Sequence, residues 1–269
     1  MAFFEYERGR HYFQDFGHGA PVVCLHGLGN TGRVWAPQLQ SLLMAGHRVI
    51  IPDLIGHGVS SDAQKGITPA DQAVTVIALL DHLGLESTDV VGLSLGAMVA
   101  LELSSRFPTV VTKLVVAGGF SRMDDQKSMR AIGEWIQDLN VEEGCLRRFK
   151  QTWLQLVGPD FIDTAQGLAV YQAWHAQAAV DNPKNHIWWC EGLRHYNVES
   201  VLCLVKAKTL VLFGANDQIS PRVCSELIAA GIPGSELLEI PGQGHVFNVS
   251  SSGAFNDALD DFLGEPAHV

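Results

Sequence analysis

Ser94 lies between Gly92 and Gly96 at the end of the apolar run Val90-Val91-Gly92-Leu93, an arrangement suited to a serine nucleophile. In a strand-turn-helix elbow the serine occupies a strained apex that exposes its oxygen, and small neighbours let the helix pack against the strand. The expected strand covers 88–93 and the expected helix 97–107, stopped by Pro108. Serine and glycine also coincide in plain tight turns, so the hydroxyl needs a base and an orienting acid before the pattern means chemistry.

Two downstream segments offer them. A hydrophobic strand at 209–213 runs into Gly214-Ala215-Asn216-Asp217, and a second at 237–240 runs through a glycine-rich loop to His245. The chain order is serine, aspartate, histidine, which is the order of the α/β-hydrolase arrangement and not that of chymotrypsin-like or subtilisin-like proteases. Upstream, Pro21-Val22-Val23-Cys24-Leu25 leads into His26-Gly27-Leu28-Gly29-Asn30. Acyl transfer develops negative charge on a carbonyl oxygen, which preorganised backbone NH groups stabilise. By position, the expected donors are the amides of Leu28 and of Leu95.

These blocks, with Pro52-Asp53-Leu54-Ile55-Gly56-His57-Gly58-Val59-Ser60 between them, resemble the α/β-hydrolase superfamily over nearly the whole chain. Within it the sequence looks most like the group of 3-oxoadipate enol-lactonases, cofactor-free haloperoxidase-type esterases and carbon-carbon bond hydrolases. The resemblance implies Ser94 as nucleophile, His245 as base and Asp217 as orienting acid, with neither cofactor nor metal. Leu93 departs from the asparagine that carbon-carbon hydrolases often carry before the nucleophile. Ser94 itself separates the chain from haloalkane dehalogenases and epoxide hydrolases, which place aspartate there, and the 26–30 loop lacks the glycine-proline element of proline iminopeptidases.

The positioning elements follow from periodicity. Two short strands around Gly9 within 3–16, then strands at 22–26, 48–52, 89–94, 113–117, 209–213 and 236–240, alternate mostly with helices. Thr68-Pro69-Ala70-Asp71 supplies a cap, a proline at the first helical position and an acid for a helix to about Leu83. This alternation predicts an α/β fold: a mostly parallel eight-stranded sheet, helices on both faces, and ligands at the carboxyl ends of the strands. It fails over 120–205, too long a stretch for a loop. The expected organisation is therefore a core from 1–119 and 206–269 with an inserted helical cap at 120–205.

Five of the six tryptophans fall in that cap: Trp135, Trp153, Trp174, Trp188 and Trp189. Aromatic rings there can shape an apolar pocket or form the cap's own core. Trp153 and Trp188 are the candidates for substrate contact. Arg122, Arg130, Arg147, Arg148 and Arg194 carry the charge to meet a substrate carboxylate, although ordinary surface solvation is the simpler account of each. His175, His186 and His195 share no short ligand spacing, so no metal site is expected. His26 and His57 are expected to hold loop shape through backbone hydrogen bonds, and Asp53 to brace the loop that follows it.

Composition bounds the partners. A net charge of -11 over 269 residues, with no basic cluster, disfavours nucleic acid and anionic membrane surfaces, but a local arginine can still admit an anionic small molecule. The first ten residues contain no long apolar run, so neither a signal peptide nor a membrane span is expected. Five cysteines at irregular spacing imply no disulfide framework and fit a reducing cytoplasm. Cap residues could serve a homo-oligomer interface or face solvent. The leading expectation is a serine hydrolase cleaving a carboxylic ester or lactone of a small, partly apolar metabolite through an acyl-enzyme. The alternatives are a carbon-carbon bond hydrolase or lyase on the same residues and, lastly, a non-catalytic ligand receptor.

Overall fold

In the computed structural model, which describes residues 2–7 and 9–264, eight strands form one sheet in the order β1-β2-β4-β3-β5-β6-β7-β8. The chain begins with the hairpin β1 (Ala2–Tyr6) and β2 (Gly9–Phe16), followed by β3 (Ala20–Leu25), α1 (Ala36–Met44), β4 (His47–Pro52), α2 (Pro69–Leu83), β5 (Thr88–Leu93), α3 (Leu95–Arg106) and β6 (Val111–Ala117). Five helices then intervene: α4 (Gln126–Leu139), α5 (Gly144–Val157), α6 (Pro159–Ile162), α7 (Ala165–Ala178) and α8 (Pro183–Leu193). The sheet resumes with β7 (Lys208–Gly214), α9 (Arg222–Gly231) and β8 (Glu236–Ile240), and the described chain ends with α10 (Phe247–Ser250) and α11 (Ser252–Leu263). Pairing is antiparallel for β1 with β2 and β2 with β4, and parallel from β4 to β8.

The period-two alternation of the strands sorts the core into two layers. Val23, Leu25, Val90, Leu114, Val116 and Val211 face the layer that includes α2 and α3. Their neighbours Val22, Cys24, Val91, Val115, Leu210 and Leu212 face the layer that includes α1 and α11. Both faces of the central strands are thus apolar and covered, as a parallel sheet requires. At about 1.5–3 kcal/mol for each fully buried large apolar side chain, these layers dominate the stability of the scaffold.

Local signals set the helix ends. Thr68 accepts from the Asp71 amide while the Asp71 carboxylate accepts from the Thr68 amide, closing a capping box, and Gly84 ends α2 at φ 66°. Such a cap contributes about 1 kcal/mol. The consequence for the site is geometric. β5, β7 and β8 run parallel, so the loops after them emerge at one edge of the sheet.

Candidate active site

Ser94 sits where β5 turns into α3, at φ 54° and ψ -113°, a conformation that costs a non-glycine residue energy and needs enforcement. Enforcement comes from a hydrogen bond of the Ser94 amide to the Ala117 carbonyl at 2.8 Å and from two missing side chains. A Cβ on Gly92 would strike the Gly96 carbonyl and Ala97, and one on Gly96 would strike the Leu25 carbonyl.

The three sequence-predicted polar residues meet in line. His245 Nε2 lies 2.8 Å from Ser94 Oγ, and His245 Nδ1 lies 2.7 Å from Asp217 Oδ2. Asp217 and His245 are both buried. The other carboxylate oxygen, Asp217 Oδ1, accepts from the amides of Ile219 at 2.8 Å and Ser220 at 2.9 Å. An ionised carboxylate only accepts, so it selects the tautomer with the proton on Nδ1. Nε2 is left to accept from Ser94.

Two residues that the sequence reading did not single out complete this support. Gly118 turns at φ 55°, and a Cβ there would come within 3.2 Å of His245 Cε1. Ser220 donates to the Gly119 carbonyl at 2.7 Å, fixing the loop that carries Asp217. A lone glycine after a strand and a serine after an acid are too common to stand out in sequence.

Beside Ser94, the loop after β3 comes close at Gly27, where a Cβ would lie 3.3 Å from Ser94 Cβ. The amides of Leu28 and Leu95 have no hydrogen-bond acceptor among the described residues, and both residues border the cavity that Ser94 faces. The loop is held by histidines. His26 Nε2 accepts from the Leu54 amide at 3.0 Å, and His57 Nε2 accepts from the Gly29 amide at 3.1 Å while its Nδ1 donates to the Ile55 carbonyl. Burial holds both rings neutral: it pulls His26 down to about 4 and, with His26 alongside, His57 to about 3. Asp53 accepts from the amides of Gly32 and Val59, as a brace should.

The cavity in front of Ser94 measures about 130 Å³, close to the ~150 Å³ that holds one benzene molecule. Its walls are apolar side chains from both the sheet loops and the helices between β6 and β7, among them Met98, Phe120, Trp135, Phe149 and Leu193. Trp153 and Trp188, the two candidates for substrate contact, do not border it. Trp153 stacks edge-on with Tyr171 and Trp174, and Trp188 packs on the apolar layer beside α8. Trp135 takes the place expected of them, because the packing of α4 against α5 and α8 turns that ring toward Ser94.

The polar exceptions in the wall are Arg148, Thr152, Asp181, His186 and Cys145. Cys145 Sγ is 3.7 Å from His186 Nδ1, and Asp181 Oδ2 is 3.7 Å from His186 Nε2. The order mimics a thiol nucleophile with base and acid, but burial pushes the Cys145 thiol up to about 12 and His186 down to about 3. No thiolate forms near neutral pH. The thiol and the carboxyl flank opposite ring nitrogens, so the three groups do not converge on one ion.

Comparison with known proteins bears on the family and the fold. The model of the Alpha/beta hydrolase family matches residues 22–258. The "Putative carbamate hydrolase RutD" of Variovorax paradoxus (strain S110) is 31% identical over 260 residues, covering 91% of this chain and 92% of that protein. A hydrolase from Pseudomonas aeruginosa PA01 superposes with a TM-score of 0.90 at 26% identity, with 98% of each chain covered. The enol-lactonase of Burkholderia xenovorans LB400 shares the fold, at TM-score 0.89 and 19% identity over 98% of this chain and 100% of that one. No helix among the described residues is long and apolar enough to cross a membrane.

Proposed function

The chain belongs to the alpha/beta hydrolase family, and from that premise we propose that it hydrolyses a carboxylic ester or lactone of a small, partly apolar metabolite. The observation that carries this reading is the unbroken hydrogen-bond line Asp217–His245–Ser94, which opens on a cavity flanked by two uncommitted amides. Ser94 attacks the carbonyl as His245 takes its proton. The Leu28 and Leu95 amides hold the oxyanion, and Asp217 stabilises the imidazolium. Collapse expels the alcohol, which takes its proton from His245, and water then releases the acid by the same steps in reverse roles. The segment between β6 and β7 serves as a cap, since its helices and loops supply most of the cavity wall, a placement suited to excluding water.

Brief exposure to a small fluorophosphonate tests the reading by intact mass. One stoichiometric adduct is expected, lost in Ser94→Ala and in His245→Ala. An unmodified, folded wild-type protein would overturn it. Esters, lactones and carbamates form the substrate panel, carbamates because the RutD relative is named a putative carbamate hydrolase. Ser94→Ala is expected to lower kcat by about 10⁴-fold or more on any substrate found.

A further inference from the structure

We propose that Arg148 is the anion-binding end of the cavity, so that the preferred substrates are esters or lactones bearing a second, free carboxylate beyond the scissile carbonyl. This rests on the serine-hydrolase reading for its chemistry but not for its binding site.

Arg148 lies on α5 and borders both the cavity of Ser94 and His245 and an adjoining cavity of about 530 Å³. The two share Phe120, Met123, Trp135, Thr152 and Ile219 as well as Arg148. A guanidinium keeps its charge at any working pH. Two other arginines of this segment are matched, Arg122 with Asp124 and Glu199 and Arg147 with Asp138, whereas Arg130 and Arg194 border neither cavity. Arg148 forms no ion pair among the described residues. Among the described residues its guanidinium makes one defined contact, with Trp135, whose ring centroid lies 4.4 Å from the guanidinium carbon.

The remaining neighbours give it no contact partner: the charge of Asp138 reaches Arg148 through space, but that carboxylate is paired with Arg147. Burial pushes the Cys145 and Cys190 thiols up to about 12 and about 11, and His186 stays uncharged with a pKa near 3. Desolvation also pulls Arg148 below the usual guanidinium range. Asp181 is the one acid on the wall of the Ser94 cavity, and Asp125 lines the adjoining one. Asp181 Oδ1 accepts from Gln177, its Oδ2 stands on the Nε2 side of His186, and burial pushes its pKa up. Cys145, one helical turn before Arg148, stands on the Nδ1 side. An anion is therefore disfavoured beside Asp181 and favoured at Arg148, which orients the substrate.

With one face of the guanidinium covered by Trp135, its edge presents parallel NH donors. A planar carboxylate matches that edge in bidentate fashion. The sequence left Arg148 among five arginines most simply read as solvated surface charge. Its place on the cavity wall separates it from the rest.

The test compares kcat/KM for monoethyl succinate, glutarate and adipate with that for the ethyl esters of butyric, valeric and hexanoic acids. The wild type is expected to prefer the charged member at one chain length or more. At that length Arg148→Gln should lower the charged-to-neutral ratio by at least about 30-fold, and Arg148→Lys should recover part of it. A ratio unchanged in Arg148→Gln, or a wild type that prefers the neutral ester at every length, overturns the proposal. Arg148→Met, which keeps the stem against Trp135, replaces the glutamine variant if that does not fold. Titration of Ser94→Ala protein with glutarate reads the site without turnover: saturable binding that disappears in Ser94→Ala/Arg148→Gln supports it, and binding indifferent to Arg148 overturns it. Absence of ester turnover and of a fluorophosphonate adduct, with glutarate still bound through Arg148, would instead sink the hydrolase reading alone.

Discussion

The Gly29 amide donates to His57 Nε2 at 3.1 Å, and this bond ties the loop carrying the Leu28 amide to the loop after β4. Removing the acceptor leaves a part-buried NH unsatisfied, at a cost of about 1–3 kcal/mol, and frees the loop. His57→Ala is therefore expected to lower kcat by about tenfold or more with a small change in KM. His57→Gln, which keeps an acceptor, should recover part of the loss. Steady-state kinetics on one good ester decides it, and equal kcat in wild type and His57→Ala would refute the link.

Acid should weaken the fold by a route these histidines define. His26, His57 and His186 have folded pKa values near 4, 3 and 3, below an unfolded value of about 6.5. Between those limits the unfolded chain binds protons that the folded chain refuses. Stability is then complete above about pH 6.5 and falls as the pH drops, with a slope of up to about 1.4 kcal/mol per pH unit for each histidine. Asp53 and Asp181, whose pKa values are raised by burial, contribute the opposite sign at lower pH. Urea midpoints from pH 7.5 to 5 test this: the midpoint should decline, and less steeply in His57→Gln. A midpoint that rises toward pH 5 would contradict it.

Asp217→Asn separates orientation from folding. The asparagine oxygen can still accept from the Ile219 and Ser220 amides, but its NH₂ then faces His245 Nδ1 and favours the proton on Nε2. A loss of about 10⁴-fold in kcat is expected with the thermal midpoint nearly kept. The rate of fluorophosphonate labelling should fall in parallel, and undiminished labelling would argue against the orienting role.

Two glycines make opposite predictions for one substitution. Gly96→Ala places a methyl group against the Leu25 backbone and is expected to cost about 3 kcal/mol or more, or to prevent folding. Gly253→Ala, in α11 with open space around it, should stabilise the protein by up to about 1 kcal/mol. Differential scanning of the two proteins against wild type checks both signs.

The parts of the site that could be read from the sequence are those built by short stretches of chain. Ser94 sits between two glycines because a turn of that sharpness needs both of them, and the loops with Asp217 and His245 each follow an apolar strand. The sheet layers were legible for the same reason, since alternation along β3 and β5 already assigns each residue a face. The cavity wall was not. Trp135 on α4, Arg148 on α5 and Asp181 between α7 and α8 come from three positions along the helical segment and meet only through the packing of α4 on α5 and α8 and of α5 on α7. Nothing in the local spacing of Trp153 and Trp188 distinguished them from Trp135.

The carbonyls of Gln155 and Leu156, in the last turn of α5, accept from the amides of His245 and Val246 at 3.3 and 2.7 Å. The end of α5 is thereby stitched to the backbone of His245 itself. A helix segment swinging away as a hinged door would have to break these two bonds or carry His245 out of line with Ser94. Entry through the larger adjoining cavity, past Arg148 and Trp135, spares those bonds. On that route the seam stays closed, and the expected outcome is that the His245 and Val246 amides exchange with solvent no faster during turnover than at rest.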